Sequence, residues 1–382
     1  MSADPNAVAD EPASFALPRL TRRSALLGAA ALLAPLAAKF AAAAPAIEPG
    51  LIRLNGNENP YGPSPAARRA ILGSVGEAPR YANATLTTLT NQLAAHEGVA
   101  ASQIVIGSGS GELLRMAGLL ASTTTPGGEL VASRPTYEEL PEFAAKLGLK
   151  VQWVAPDADH RHDLPAMRAA VTEHTRLVYV CNPNNPTGAA VTRGALEGFI
   201  RSVPADCTVI ADEAYMDFVD QPGVATVAPL VKDVANLIVL RTFSKIHGLA
   251  GLRIGYAITP PALASRYAGL SLVWPNTTGL AAATASFNDH AFLKTTRTAI
   301  VGDRTRVHAA IDRMGLRRAE SQGNFVFFDT GAPLQRFQDR MLAQGIKVGR
   351  HFDGYDTWAR VTIGLHHEVG RFLAALPGAL GT

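Results

Sequence analysis

The chain has 382 residues, enough for two or three ordinary domains or one large α/β body with a smaller cap. Hydrophobic residues make up 47% and charged residues 18%, a balance that excludes disorder for most of the chain. With 35 Lys+Arg against 32 Asp+Glu the net charge is only +3, and no basic run marks a nucleic-acid footprint.

In chain order, residues 1–46 read as an address. A polar lead ends in Thr21-Arg22-Arg23-Ser24, then comes the apolar run 25–38, and Ala44-Pro45-Ala46 closes it with small residues. A charged start, a short apolar stretch and an A-x-A end fit a secretory signal. The arginine pair before a weakly hydrophobic, Ala-rich run resembles a twin-arginine signal, which implies the twin-arginine export machinery as a partner and the periplasm as destination. Without such a signal the protein would stay in the cytoplasm. No apolar stretch reaches the roughly 20 residues of a spanning helix, so no stable membrane span is expected.

Residues 47–79 are rich in Pro, Gly and Asn and read as an extended arm. From about 80 to 260, short Val-, Ile- and Leu-rich runs alternate with helical stretches. Strands are expected over 104–106, 129–133, 151–154, 177–181, 208–211, 237–241 and 255–258. Helices are expected over 86–97, 112–121, 137–147, 164–171 and 194–202. Strands apolar on both faces suit a mostly parallel sheet covered by helices on each side, an α/β fold. Beyond Pro260-Pro261 the pattern changes to helices over about 263–272, 292–314 and 333–343, with strands near 325–328, 346–348 and 360–363. Residues 261–382 therefore read as a smaller α+β domain.

In doubly wound sheets, ligands sit at the carboxyl ends of the strands. The first expected strand is followed there by Gly107-Ser108-Gly109-Ser110-Gly111, a turn into a helix whose free N–H groups can hold phosphate. Later strands are followed by Asn182-Pro183-Asn184-Asn185-Pro186-Thr187-Gly188, by Asp212-Glu213-Ala214-Tyr215, and by Thr242-Phe243-Ser244-Lys245, with Arg253 eight residues on. Any one of these could be a cap, or half of an Asp212–Lys245 ion pair. Gathered on one edge, such charges are costly unless they serve a ligand or each other. His366-His367 reads as surface, so no metal site is expected. Cys181 and Cys207 fall at opposite ends of neighbouring strands, too far apart to bond, and are expected to be buried and reduced.

Asn185-Pro186-Thr187-Gly188, Asp212-x-x-Tyr215, Ser244-Lys245 and Arg253 resemble the signature of class I/II aminotransferases, fold-type-I enzymes that use pyridoxal 5'-phosphate. Asn55-Gly56-Asn57-Glu58-Asn59-Pro60-Tyr61-Gly62 and Ser244-Lys245-x-x-x-Leu249-Ala250-Gly251-Leu252-Arg253 are similar to the histidinol-phosphate aminotransferase branch. The resemblance covers about residues 51–365. It implies a fold-type-I large cofactor-binding domain over 80–260 and a small domain over 261–382. The implied reaction moves an amino group between an amino acid, or a histidinol-phosphate-like amine, and a 2-oxo acid.

The resemblance also implies roles. Lys245 would form the Schiff base and shuttle the substrate proton; the amine must be neutral to attack, which a desolvated lysine near other cations achieves. Asp212 would pair with the pyridine nitrogen, and Asn185 and Tyr215 would hydrogen-bond the ring's phenolic oxygen. Tyr137 would stack on the ring, with Ala214 behind it. Gly109, Ser110, Gly111, Ser244 and Arg253 would hold the phosphate. Tyr61 would reach the cofactor phosphate of the other subunit, which implies a homodimer. Arg360 matches the family's carboxylate-binding arginine, Arg350 is a candidate second anion contact, and Asn185 would also face the substrate.

Two departures stand out. The phosphate turn reads Gly-Ser-Gly-Ser-Gly-Glu, where the histidinol-phosphate branch usually has Ala-Asp before the Glu. Histidine biosynthesis is cytoplasmic, so an exported member points to another substrate. A decarboxylase like the threonine-phosphate decarboxylases shares much of the signature. A non-catalytic cofactor-sensing module would carry a DNA-binding domain where this chain carries an export-type segment.

Overall fold

The computed structural model describes residues 50–381, so the signal expected over 1–46 and the start of the arm lie outside the described residues. In chain order the strands are β1 (Ile52–Leu54), β2 (Ile104–Gly107), β3 (Glu129–Ser133), β4 (Lys150–Val154), β5 (Thr175–Cys181), β6 (Thr208–Asp212), β7 (Leu237–Thr242), β8 (Gly255–Ile258), β9 (Phe325–Asp329), β10 (Ile346–Val348) and β11 (Trp358–Thr362). The helices are α1 (Pro65–Ser74), α2 (Asn83–Glu97), α3 (Ser110–Thr124), α4 (Glu139–Lys146), α5 (Leu164–Ala169), α6 (Arg193–Ser202), α7 (Pro261–Ala268), α8 (Thr277–Phe287), α9 (His290–Arg313), α10 (Leu334–Ala343) and α11 (His366–Leu380).

Seven strands form one sheet in the order β2-β8-β7-β6-β5-β3-β4. Pairs β3/β4, β3/β5, β5/β6 and β6/β7 are parallel, as the continuous apolar runs predict. Only β8 runs against its neighbours, β2 and β7. A parallel neighbour needs a crossover, usually a helix. The link from β7 to β8 holds only a single 3-10 turn at Ala250–Leu252, so the chain returns antiparallel.

Alternate residues of each central strand enter different cores. Val178, Val180, Val209, Ala211 and Val239 pack with Leu89, Leu93, Leu196 and Phe199 on one face. Leu177, Tyr179, Cys181, Ile210 and Leu240 pack with Leu113, Leu114 and Leu140 on the other. Each fully buried aliphatic side chain contributes about 1.5–3 kcal/mol, so both faces specify strand register. Leu263 and Tyr267 of α7, and Leu280 and Ala283 of α8, belong to these same cores, although the sequence pattern changes at Pro260.

A further core gathers Ile300, Val307, Phe325, Phe328, Phe337, Val369 and Phe372 around β9 and β11, which pair antiparallel. The arm supplies Ile52 and Leu54 to it, because β1 pairs parallel with β10. Within the arm, α1 forms after all: Ser64 Oγ accepts from Ala67 N at 3.1 Å and Pro65 takes the first helical position. Helices α8 and α11 also arise where none was expected. α8 is capped by Asn276, and its small apolar residues show no polar face from which a period could be read. Cys181 and Cys207 are free and buried. Among the described residues, no helix is long and apolar enough to cross a membrane, and no group of three His, Cys, Asp or Glu could hold a metal.

Candidate active site

The register brings the strand ends together. Cys181 faces Asp212, Thr242 faces Gly255, and Gly107 faces Gly255. The turns that follow β2, β5, β6 and β7 therefore open on one edge, where they line a cavity of about 260 Å³. Lys245, Asp212, Tyr215, Ser110, Gly111, Tyr137, Asn185, Ser244, Arg253, Arg350 and Arg360 all line it. Gly109 and Tyr61 do not.

At one end, the first turn of α3 presents its free N–H groups beside Ser244 and Arg253. Arg253 Nη1 donates to Ser244 Oγ at 3.4 Å and to Ala250 O at 3.1 Å. Arg253 itself holds the left-handed conformation, φ +55°, which is uncommon for a non-glycine residue. Gly109, at φ +84°, leaves room for it: a Cβ there would lie 2.8 Å from Arg253 Cζ. A Cβ at Gly255 would lie 2.6 Å from Ser110 N. Both glycines keep the cradle open. Glu112, the residue after the turn, accepts from Ser108 N at 2.5 Å and from Leu272 N and Val273 N at 2.8 Å, which pins the cradle to the segment after α7.

In the middle sit Lys245 and Asp212. Lys245 Nζ donates to Asn57 O at 3.2 Å and lies 5.4 Å over the Tyr215 ring. Burial first, then the Arg360 guanidinium, pushes this amine down to about 8, against the pull of Glu58 and Asp212. Asp212 accepts from Tyr179 OH at 3.0 Å and from Ala214 N at 3.1 Å. Burial raises its carboxyl to about 6 despite those bonds. The two charges thus have other partners, and an ion pair does not use them up. Tyr137 lies in the loop before α4, which begins at Glu139 instead of the expected residue 137. Burial raises its phenol pKa.

At the other end, Arg360 Nη1 donates to Asn185 Oδ1 at 2.7 Å and Nη2 to Asn55 O at 2.8 Å. Its Nε is buried without a partner. Burial, then the neighbouring Arg350, lowers Arg360 to about 10. Arg350 is half exposed, pairs with Glu138 and lies 4.3 Å over the Phe352 ring. Tyr61 packs on the C-terminal core near Asp303 and Glu368, away from this cavity. Asn57 was quoted in the arm motif without a role, yet its Nδ2 donates to Tyr215 OH at 3.1 Å and its carbonyl holds Lys245. The Asn-Gly-Asn turn was the available signal.

The sequence profile described as aminotransferase class I and II matches residues 49–376. The chain belongs to that family. This aminotransferase is 37% identical over 330 residues to a histidinol-phosphate aminotransferase of Moorella thermoacetica, covering 85% of this chain and 84% of that protein. It is 38% identical over 329 residues to an aromatic amino acid aminotransferase of Rhodococcus jostii, covering 85% and 89%. A crystal structure of histidinol-phosphate aminotransferase from Sinorhizobium meliloti in complex with pyridoxal-5'-phosphate superposes with TM-score 0.77 at 28% identity, covering 86% and 91%. An L-threonine-O-3-phosphate decarboxylase from Porphyromonas gingivalis shares the fold alone, at 18% identity and TM-score 0.74. The enzyme is a fold-type-I, pyridoxal-phosphate-dependent transaminase.

The aminotransferase's own residues fit this cofactor on three counts. The glycine cradle beside Ser244 and Arg253 suits a phosphate. Asp212 is a buried carboxylate whose bonds come from neutral donors, so a pyridinium would complete it. Lys245 is a buried amine with enough neutral form to capture an aldehyde.

Proposed function

We propose that this transaminase anchors its cofactor on Lys245, orients the ring with Asp212, Asn185, Tyr215 and Tyr137, and holds the phosphate with Ser110, Gly111, Ser244 and Arg253, while Gly109 leaves Arg253 its room. The observation that carries this reading is Lys245: a buried amine, lowered to about 8, sharing one cavity with Asp212, Arg253 and Arg360. Bound pyridoxal phosphate supplies an electrophilic carbon and a ring that takes up the electron pair of the substrate Cα–H bond. Lys245 Nζ takes the Cα proton when neutral and returns it when charged, and a pKa near the working pH suits both steps. Asp212 holds negative charge opposite the ring nitrogen. Arg360 binds the anionic group of the donor, with its unpartnered Nε as a ready hydrogen-bond donor. Arg350 is the second anion contact.

The histidinol-phosphate and aromatic amino acid aminotransferase relatives support a donor with a flat, aromatic or imidazole side chain on an amine carrying an anionic group. Phe352, buried outside the cavity lining, backs both arginines at 4.3 Å from Arg350 and 5.2 Å from Arg360. Enzyme loaded with pyridoxal phosphate, mixed with histidinol phosphate or phenylalanine and no oxo acid, should convert its cofactor stoichiometrically to the amine form and release a keto product. Inactivity with both donors would remove this class. A Lys245→Ala enzyme that still turned over donors would overturn the anchor.

The working unit in this reading is a homodimer. Tyr61 stands off its own chain's cavity, in keeping with service to a second copy. Leu272, Val273 and Trp274 are exposed, with Trp274 6.0 Å from the exposed Tyr81. Light scattering would give twice the chain mass. Residues 1–46 are proposed as a twin-arginine-type export signal, on the strength of Arg22-Arg23 ahead of the Ala-rich run. A reporter fused to residues 1–46 should be exported, and changing Arg22 and Arg23 to Lys should retain it.

A further inference from the structure

Tyr179 is fully buried on β5, in the apolar core with Leu113, Leu114, Ile210 and Leu240. A buried phenol needs a partner for its hydroxyl. Here the partner is Asp212 Oδ2, at 3.0 Å. The other oxygen, Oδ1, accepts from Ala214 N at 3.1 Å. Each carboxylate oxygen thus has one donor, and together the two donors fix the plane of the group. Tyr179 reaches Asp212 from the core of the sheet and does not line the cavity, whereas Asp212 does. The phenol therefore touches neither cofactor nor substrate.

We infer that Tyr179 is a positioning residue for transamination: its hydroxyl orients the Asp212 carboxylate and keeps it ionised to face the pyridine nitrogen. This rests on the reading of Asp212 given above. The physical reason is asymmetry. A buried carboxylate with too few donors takes up a proton, and a protonated Asp212 no longer stabilises a pyridinium. Burial already raises Asp212 to about 6, and the Tyr179 bond is the first of the contacts that oppose it. The other ionisable groups facing Asp212 are Cys181 on β5, Tyr137 after β3, Glu213 and Tyr215 beside it, Lys245 after β7 and Tyr267 on α7. Lys245 is the only cation among these, and its proton is needed elsewhere. If Tyr179 merely filled the core, phenylalanine would serve as well.

Tyr179→Phe removes one oxygen and keeps the ring. The test measures pyridoxal-phosphate dissociation from the holoenzyme between pH 5.5 and 8.5, for wild type, Tyr179→Phe, Asp212→Asn and the double variant. A hydrogen bond to a charged group is worth about tenfold or more in an equilibrium. Tyr179→Phe should therefore weaken cofactor binding about tenfold near pH 7, and move the acid limb of the binding profile upward. In the Asp212→Asn background the same change should matter less than about twofold. A cofactor analogue with carbon in place of the ring nitrogen should also erase the penalty. Equal penalties with the analogue, or in the Asp212→Asn background, would reduce Tyr179 to packing and overturn the inference. If Asp212→Asn itself leaves cofactor binding unchanged, the Asp212 reading fails instead. Should Tyr179→Phe not fold, the wild-type protein still decides. A slowly exchanging tyrosine hydroxyl proton should be visible by NMR in ring-labelled protein and be lost in Asp212→Asn, and its absence from wild type would sink the proposal.

Discussion

At the end of the cavity proposed for the cofactor phosphate, the parts come from turns a few residues long. Gly109, Ser110 and Gly111 follow β2, Ser244 follows β7, and Arg253 opens into β8, with Gly107, Thr242 and Gly255 paired in register. At the end proposed for the donor, Arg360 is held by Asn185 and by the carbonyl of Asn55, 175 and 305 residues away. The first end is built from strand termini and backbone N–H groups, with Ser244 and Arg253 as its side-chain contacts, so it should tolerate side-chain change elsewhere. The second exists only when the arm, the sheet edge and β11 are all in place, so it is the end where donor choice can vary without loss of the cofactor.

The largest effect should come from the group between the two ends. Lys245→Ala should lower turnover by ~10^4-fold or more, since both nucleophile and proton carrier are lost. Single-turnover spectra of the bound cofactor would check this. The comparison is sharpened by a matched pair. Arg253→Ala should weaken cofactor binding by about 10–100-fold, the range for loss of a charge-assisted contact. Arg360→Ala should leave cofactor affinity nearly unchanged, yet raise KM for an anionic donor by about 100-fold. If Arg360→Ala released cofactor as readily as Arg253→Ala, the two ends would not be separate.

That division also explains what was legible in sequence. The phosphate turn, Asp212, Lys245 and Arg253 could be read because buried parallel strands announce themselves as apolar runs, and their ligands follow within a few residues. Tyr137 lines the candidate cavity from a loop and not from the expected helix, because the two residues before Glu139 do not break a helical pattern. Asn57, Glu138 and Tyr179 carried no such signal. Asn57 meets Tyr215 across 158 residues, Glu138 meets Arg350 across 212, and Tyr179 meets Asp212 through the register of the paired strands β5 and β6, which a run of apolar residues does not fix. Helix α1 was hidden by Pro and Gly counts, although Ser64-Pro65 is a helix start on physical grounds.

A smaller effect follows from the Lys245 amine. Its folded value is about 8 against 10.5 for an ordinary lysine. Between those limits the unfolded chain binds the proton and the folded one does not, so stability of the cofactor-free protein rises with pH across that window. Below about pH 8 the folded state carries the full cost of a buried cation. Denaturation midpoints of wild type and Lys245→Met, followed from pH 7 to 10, should converge as pH rises, with wild type gaining on the order of 2–3 kcal/mol. The rate at which cofactor loads should climb over the same approach to pH 8, then level.

The smallest effect belongs to Arg350. Its guanidinium is more than half exposed, at 55%, and is paired with Glu138. An exposed ion pair contributes about 0–1 kcal/mol, against the buried, multiply bonded Arg360. Arg350→Ala should therefore raise KM for an anionic donor by only about threefold, with kcat and cofactor binding unchanged. Glu138→Gln tests the same contact from the other side. Freed from its carboxylate partner, Arg350 should lower that KM slightly for donors with a second negative charge, and leave a singly charged donor unaffected. A large loss in Arg350→Ala would mean that substrate pulls this arginine inward. The substrate end would then be built from two anchors, one preset and one recruited.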